Sequence, residues 1–205
     1  MKTMRISKRL VEVMILLTIL FSCDGETEPT AEENAQSARN AAVTAYLNSN
    51  YQTALNKFIE AFNYGATTVQ AECAAGVGFS LVRLQRFSDA DSAYNAAITN
   101  FPNNTDALAM GVLLAYAYDE YGDCIARANA LLALDSSYSL SFYPELNNQD
   151  IILHKALSQF KLSDYNGSYN SLLTIDATPG FTINDPDLVN KLANRLMVMV
   201  GNLSD

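Results

Sequence analysis

A set of small, aromatic and proline residues recurs along this chain at a spacing of about 34 residues, and this recurrence constrains the fold more than any other feature. The clearest copy spans about residues 71 to 104. Its positions lie 3, 6, 3, 4, 3 and 5 residues apart and are Gly78, Leu81, Phe87, Ala90, Tyr94, Ala97 and Pro102. Small residues let two antiparallel helices approach closely, and proline ends the second helix. This unit therefore predicts a helical hairpin.

Weaker copies precede and follow this unit in the same register. Their equivalent small residues are 36, 34 and 44 residues apart and are Ala54, Ala90, Cys124 and Ser168. The copies resemble the tetratricopeptide repeat, a helix-turn-helix unit of about 34 residues, over about residues 35 to 182. The resemblance implies an all-α fold, a right-handed α-solenoid of about four helical hairpins with a C-terminal capping helix.

The long last interval indicates an insertion of about ten residues into the 34-residue pattern. It lies between Ser136 and Asn148 and is rich in aromatic residues, among them Phe142 and Tyr143. A loop of this composition could recognise a partner. The alternative is that it packs over the neighbouring hairpin or extends a helix. No stretch of the chain shows sustained period-two alternation, so no strand is predicted.

The last segment, residues 185–205, predicts the capping helix. Asp185 can cap it, with Pro186 in the first turn. Apolar residues then recur 4, 4, 3 and 4 residues apart, at Leu188, Leu192, Leu196, Met199 and Leu203. A solenoid needs such a helix to cover its last apolar face. The run from Met197 to Val200 is apolar on all sides, which indicates a further contact with the groove or with a partner.

The first 22 residues are typical of a targeting signal, with basic residues followed by an apolar run too short to span a membrane. The sequence ending at Cys23 resembles the lipobox of bacterial lipoproteins, which implies that Cys23 carries the lipid, with palmitate among its acyl chains. The alternative is an ordinary signal peptide cleaved near Ser22. We expect a lipid-anchored protein of the cell envelope, with the outer membrane favoured over the inner. Residues 23–33 then form an acidic tether, and residues 34–184 the repeat domain.

Beyond residue 22 the chain is strongly acidic, with 9 Lys and Arg against 21 Asp and Glu. Nucleic acids and anionic lipid head groups both require a positive field. We therefore expect no nucleic-acid partner, and membrane contact through the lipid alone.

Residues for catalysis are scarce. The single histidine, His154, excludes a multi-histidine metal site, and no phosphate-binding loop or nucleophile elbow occurs. We therefore predict no enzyme activity, no cofactor and no metal. Cys124 falls in a helix contact, where it acts as a compact apolar residue, and Cys73 lies in the first turn of an earlier unit, so no disulfide is expected.

The resemblance also implies a binding surface, because the first helices of tetratricopeptide units line a concave groove that commonly holds a partner segment. By repeat position, the groove residues are Glu72, Phe79, Arg83, Leu108, Val112, Leu153 and Phe160, with Phe142 and Tyr143 added from the insertion. The alternative is that many of these residues are core, or are covered by the C-terminal helix.

These features predict a membrane-anchored scaffold that binds an envelope protein or peptide through its groove. Two alternatives are an envelope assembly factor, resembling outer-membrane or pilus assembly lipoproteins, and a small-molecule binding component of a solute transporter. A sealed groove with few charges would favour the small molecule. An open apolar groove that ends at an exposed aromatic loop would favour a protein.

Overall fold

The computed structural model describes residues 28–202, and within this range the chain forms four antiparallel helix pairs and a final helix. Cys23, the signal segment and Leu203 lie outside the described residues. In chain order the helices are α1 (Ala31–Leu47), α2 (Tyr51–Asn63), α3 (Thr67–Arg83), α4 (Phe87–Asn100), α5 (Thr105–Ala117), α6 (Tyr121–Leu134), α7 (Asn148–Lys161), α8 (Tyr165–Ile175) and α9 (Leu188–Asn202). The predicted all-α solenoid of four hairpins is confirmed.

The two helices of each repeat are joined by the same turn. One residue of every turn has a positive φ, between 59° and 62°; these residues are Ser49, Gln85, Asp119 and Ser163. The next amide donates to a carbonyl five residues back, as from Asn50 to Ala45 at 2.8 Å. This is the Schellman arrangement that ends helices. The turns are spaced 36, 34 and 44 residues apart, so they follow the repeat found in the sequence.

Local side chains begin several of the helices. The Asn104 side chain accepts a hydrogen bond from the Ala107 amide at 2.6 Å and so caps α5. A capping box joins Asn147 and Asp150 at the start of α7. These bonds satisfy amides that have no partner within the helix.

Adjacent helices pack in sequence, and the first helices of neighbouring repeats also contact one another, α1 with α3, α3 with α5 and α5 with α7. Glycine allows two of the close contacts. A Cβ on Gly111 would lie 2.4 Å from the Tyr94 ring, and one on Gly76 would lie 2.6 Å from the Phe58 ring. The expected contact of Gly78 within its own hairpin is corrected, because Gly78 faces Met110 of the following repeat.

The insertion forms an antiparallel β-hairpin of β1 (Ser139–Leu140) and β2 (Tyr143–Asn147), the only strands in residues 28–202. The prediction of no strand is therefore wrong. Tyr138, Leu140 and Phe142 are buried, while the serines at 137, 139 and 141 between and beside them are exposed. This is a period-two pattern, confined to a stretch too short to stand out in a helical chain.

The C-terminal helix α9 packs on α7 and α8 and covers the last repeat, as predicted. Leu192 and Leu196 are fully buried there, within a second apolar cluster that also contains Leu153 and Leu172. The first cluster comprises repeats 1 to 3 and the β-hairpin.

Both ends of the repeat region differ in detail from the sequence prediction. The helix α9 begins at Leu188, three residues after Asp185. Asp185 instead accepts a bond from the Asp187 amide and pairs with Lys191 at 2.7 Å. At the other end, α1 begins at Ala31, so the last three residues of the expected tether are helical.

Candidate functional site

The β-hairpin lies against the first helices of repeats 1 to 3, on the face where a partner was expected. Phe142 is at its centre and is only 3% exposed. Its ring centroid is 5.2 Å from that of Tyr46, 5.3 Å from that of Phe58 and 6.0 Å from that of Phe79. These three rings come from α1, α2 and α3. The chain thus fills its own groove over the first repeats.

This arrangement corrects the assignment of Phe142 as an available partner anchor. A phenylalanine ring is stabilised by leaving water for an aromatic surrounding. Phe79, another predicted groove residue, is buried beneath Phe142, and Leu108 and Val112 are buried as well. The insertion was expected either to recognise a partner, to pack over the neighbouring hairpin or to extend a helix; instead its Phe142 packs on repeats 1 and 2. The alternative that many groove residues are core describes Phe79, Leu108 and Val112. The cover over repeats 1 to 3 is the β-hairpin and not the C-terminal helix.

At the rim of the filled groove, Tyr143 and Arg83 remain partly accessible. Tyr143 is half-buried, with its ring 5.9 Å from that of Tyr46. Arg83 is exposed and donates to the Tyr51 hydroxyl at 2.6 Å. Burial raises the pKa of Tyr46 to about 12, although the Arg83 charge acts in the opposite direction.

A polar contact lies at the other side of the hairpin. The Ser141 hydroxyl is 3.0 Å from Glu72 Oε1 and 2.8 Å from Asp106 Oδ2. Glu72 is also paired with Arg39. Burial raises the pKa of Asp106, while the hydrogen bond from Ser141 acts to lower it. The buried Tyr138 hydroxyl lies near the Asp106 carboxyl but forms no well-directed hydrogen bond among the described residues.

Beside the fourth repeat the surface is open. A pocket of about 380 Å³ lies between the end of α5, α7 and α9; its lining includes Tyr116, Leu157, Phe160, Lys161, Leu196 and Met197. Phe160, a predicted groove residue, is half-buried, and its ring is 5.3 Å from that of Tyr165. Leu153, also predicted, is buried in the cluster beneath. Met197 is 71% exposed at the pocket and Val198 is 51% exposed next to it.

The open pocket contains one of the three basic side chains in residues 28–202 that have no carboxylate partner. Six of the basic side chains in residues 28–202 pair with carboxylates: Arg39 with Glu72, Lys57 with Glu60, Arg86 with Asp89, Arg127 with Asp123, Lys191 with Asp185 and Arg195 with Asp176. Arg83 bonds to Tyr51. Lys155 and Lys161, both on α7, have no carboxylate partner within this range, and Lys161 lines the pocket.

The remaining chemically reactive side chains are embedded in the fold. His154 is half-buried with Nδ1 2.7 Å from the Asp150 carbonyl, and burial lowers its pKa. Cys73 and Cys124 are free and buried, and burial raises the pKa of Cys73 to about 12. Between residues 28 and 202 no group of three His, Cys, Asp or Glu could hold a metal ion. No helix in that range is both long and apolar enough to cross a membrane.

The sequence did not identify Tyr46, Phe58 and Asp106 as residues that contact the hairpin. The pattern that could have revealed them is the alternation of serine with Tyr138, Leu140 and Phe142. Such alternation predicts a strand with one buried face, and therefore an apolar surface elsewhere in the chain to receive it.

Solved structures similar to this one include two tetratricopeptide repeat proteins. One, from Parabacteroides merdae, has a TM-score of 0.57 and 14% identity, over 82% of this chain and 61% of that one. The other, a thermophilic TPR protein in Thermus thermophilus, has a TM-score of 0.56 and 14% identity, over 80% of this chain and 82% of that one. This chain thus spans less than two thirds of the Parabacteroides protein. No family profile and no curated protein matches it. The likeness supports a TPR-like fold.

Proposed function

We propose that this protein is a lipid-anchored interaction scaffold of the bacterial cell envelope, which holds a partner protein at the pocket between repeat 4 and α9. The observation that carries the proposal is the open apolar surface at this end of the solenoid. Leu157, Phe160 and Met197 line it, and nothing in residues 28–202 covers Met197. Partly exposed apolar side chains around a concavity are typical of protein interaction sites.

The charge at the pocket indicates what kind of partner fits. Lys161 has no carboxylate partner within the described residues, in a chain where acidic residues exceed basic ones. A partner segment with an apolar side chain for the pocket and a carboxylate for Lys161 would satisfy both features. Such a segment would also be attracted in spite of the overall negative charge of the scaffold, because its acidic group meets a local positive charge.

The test is affinity capture from detergent-solubilised membranes. Met197→Glu places a charge in the apolar pocket and should abolish capture, since loss of an interface anchor typically costs about 2 kcal/mol or more. Leu47→Glu is the matched control, because Leu47 is similarly exposed but lies on α1. Lys161→Glu should weaken capture of the same protein. Equal capture by all variants, each with the helicity of the wild type, would exclude the pocket.

The membrane anchor rests on Cys23 and is tested separately. Acylation of this residue would hold the solenoid at the membrane through a short tether, since α1 begins at Ala31. The Cys23→Ala variant should incorporate no labelled palmitate and should leave the membrane fraction, because stable anchoring needs acyl chains and the acidic body adds no attraction to anionic lipids. Palmitate labelling that persists in this variant would refute the anchor.

A further inference from the structure

The β-hairpin depends on the groove for its order. A two-stranded hairpin is marginally stable in water by itself. Here β1 has two residues and the register is irregular between Ser139 and Leu140. The structure of residues 139–147 is therefore held by contacts to α1, α2, α3 and α5. In physical terms the segment is a bound ligand that is tethered at both ends.

The contacts that hold this segment are mainly between aromatic rings, and these ring contacts are confined to repeats 1 and 2. Phe142 inserts among Tyr46, Phe58 and Phe79, which surround it from repeats 1 and 2. The repeats pack on one another through their own helices, so the hairpin adds to a scaffold that is already continuous. Its removal would expose an aromatic slot without breaking a helix-to-helix contact.

The polar contacts of the hairpin are incomplete. Ser141 has one hydroxyl hydrogen and faces two carboxyl groups, on Glu72 and Asp106. It can donate to only one of them at a time. Tyr138 is 1% exposed, and its hydroxyl, although near Asp106, makes no well-directed hydrogen bond within residues 28–202. The Ser141 hydroxyl is exposed and keeps its contact with water, so its bonds to the two carboxyl groups add little to the association. The buried Tyr138 hydroxyl, next to β1, has lost water and gained little in return. The hairpin is thus held mainly by the ring contacts of Phe142.

We infer that residues 139–147 are an intramolecular ligand, and that a partner segment of the same chemistry displaces them to bind the first helices of repeats 1 to 3. That segment carries a hydroxyl residue followed by two aromatic residues, with the hydroxyl residue and the first aromatic in a tight turn, as in Ser141, Phe142 and Tyr143. The first aromatic enters the slot beside Phe79, and the hydroxyl meets Glu72 and Asp106. This second site goes beyond the proposed function, which concerns the pocket at repeat 4.

The test uses a fluorescent synthetic peptide with the sequence of residues 137–148, titrated against the full chain. The Phe142→Ala variant should bind this peptide at least about tenfold more tightly than the wild type does, because its internal competitor has lost the anchoring ring. A peptide with alanine at the same phenylalanine is the matched control and should not bind. A folded variant with wild-type helicity that binds no peptide would overturn the inference.

Hydrogen exchange of the wild type decides the question if the variant does not fold. A displaceable segment detaches from the groove while the helices stay folded. The amides of β1 and β2 should therefore exchange with solvent at least about 100-fold faster than those of α5. Exchange of all these amides at one common rate would identify the hairpin as a fixed part of the core and overturn the inference.

Two further measurements distinguish this site from the pocket at repeat 4 and from an interface with a second copy of the chain. Met197→Glu, which disrupts that pocket, should leave peptide binding unchanged; peptide binding that disappears with this variant would overturn the assignment to repeats 1 to 3. The wild type should also remain a monomer as its concentration rises. Suppose instead that the chain dimerises and that the hairpin amides stay protected from exchange. Each copy would then place its hairpin in the groove of the other, a domain swap, and this result would also overturn the inference.

Discussion

The first helices of repeats 1 to 3 and those around repeat 4 offer the same kind of surface, yet one is filled and the other is open. In the filled region, Phe142 lies among three aromatic rings. In the open region, Phe160 is half-buried and Met197 is 71% exposed. The cause is the short insertion between α6 and α7, which folds back over earlier repeats. Repeat position alone therefore does not determine which surface of this solenoid is available.

The two regions also differ in the hydrogen-bond and ion-pair partners of their polar side chains. In the filled region, Glu72 and Asp106 share the Ser141 hydroxyl, and burial raises the pKa of Asp106. At the open pocket Lys161 has no carboxylate partner within residues 28–202. One region therefore uses its polar groups internally, although incompletely, and the other contains a lysine without a carboxylate partner among the described residues.

The largest expected effect comes from the same substitution made in both regions. Phe142→Ala should lower the free energy of unfolding by about 3 kcal/mol, because it removes a buried ring, whereas Phe160→Ala should lower it by about 1 kcal/mol, because that ring is already partly in water. Urea denaturation followed by circular dichroism measures both values. Equal decreases in the free energy of unfolding for the two variants would contradict the conclusion that one face is filled and the other is open.

The second prediction concerns the scaffold that both regions share. Ala90 is fully buried at the small-residue position of repeat 2. Ala90→Leu should destabilise the chain by about 1 to 3 kcal/mol through overpacking. The matched control is Ala130→Leu, on the exposed side of α6, which should change stability by less than about 0.5 kcal/mol. Melting temperatures that coincide for the two variants would show that the repeat register is wrong.

The smallest predicted effect is a pH dependence at the buried carboxyl group of the filled region. Burial raises the pKa of Asp106 above its ordinary value of 3.8, so the folded state favours the protonated acid. This stabilisation is complete below the ordinary pKa and is lost as the pH rises through the raised pKa. The other ionisable groups at this contact are Glu72, which Arg39 neutralises, and Tyr138, whose pKa burial raises.

Asp106→Asn should remove this dependence, because an amide donates a hydrogen bond to Ser141 or Glu72 at every pH. The net contribution of such a hydrogen bond to stability is about 1 kcal/mol. Hydrogen exchange of the β1 and β2 amides at pH 4 and pH 7 measures the effect, once the rates are corrected for intrinsic exchange at each pH. Protection should fall with rising pH in the wild type and stay more nearly constant in the variant. The same fall in both proteins would assign the pH dependence to other groups.

The repeats were predictable from the sequence because they rest on local patterns. Small residues such as Ala90 and helix-ending residues such as Pro102 act within one hairpin, so their spacing carries the information. The turns were less visible, since their positive-φ positions hold Ser49, Gln85, Asp119 and Ser163 in place of glycine. The Schellman hydrogen bonds and the packing of both helices stabilise that conformation in residues that do not favour it.

The candidate site was only partly predictable, because its outcome depends on contacts between distant residues. Phe79 and Phe160 both lie on the first helices of their repeats, and both were assigned to the groove from the sequence. Their environments differ because Phe142 reaches back to Phe79, 63 positions earlier in the chain, and does not contact Phe160. No local pattern encodes the direction in which an insertion folds. The exposed residues of α9, such as Met197, were recognised as unusual because a run that is apolar on all sides cannot be buried entirely by one neighbour.

The most direct test of the contrast between the two regions is photo-crosslinking in intact cells from a reactive amino acid placed at Arg83 or at Met197. Both positions are exposed, one at the rim of the filled groove and one at the open pocket. Mass spectrometry of the products should find residues 139–147 of the same chain crosslinked from position 83, and a foreign protein crosslinked from position 197. Products from position 83 that contain none of residues 139–147, or the absence of a foreign protein among the products from position 197, would contradict the contrast between a filled and an open region.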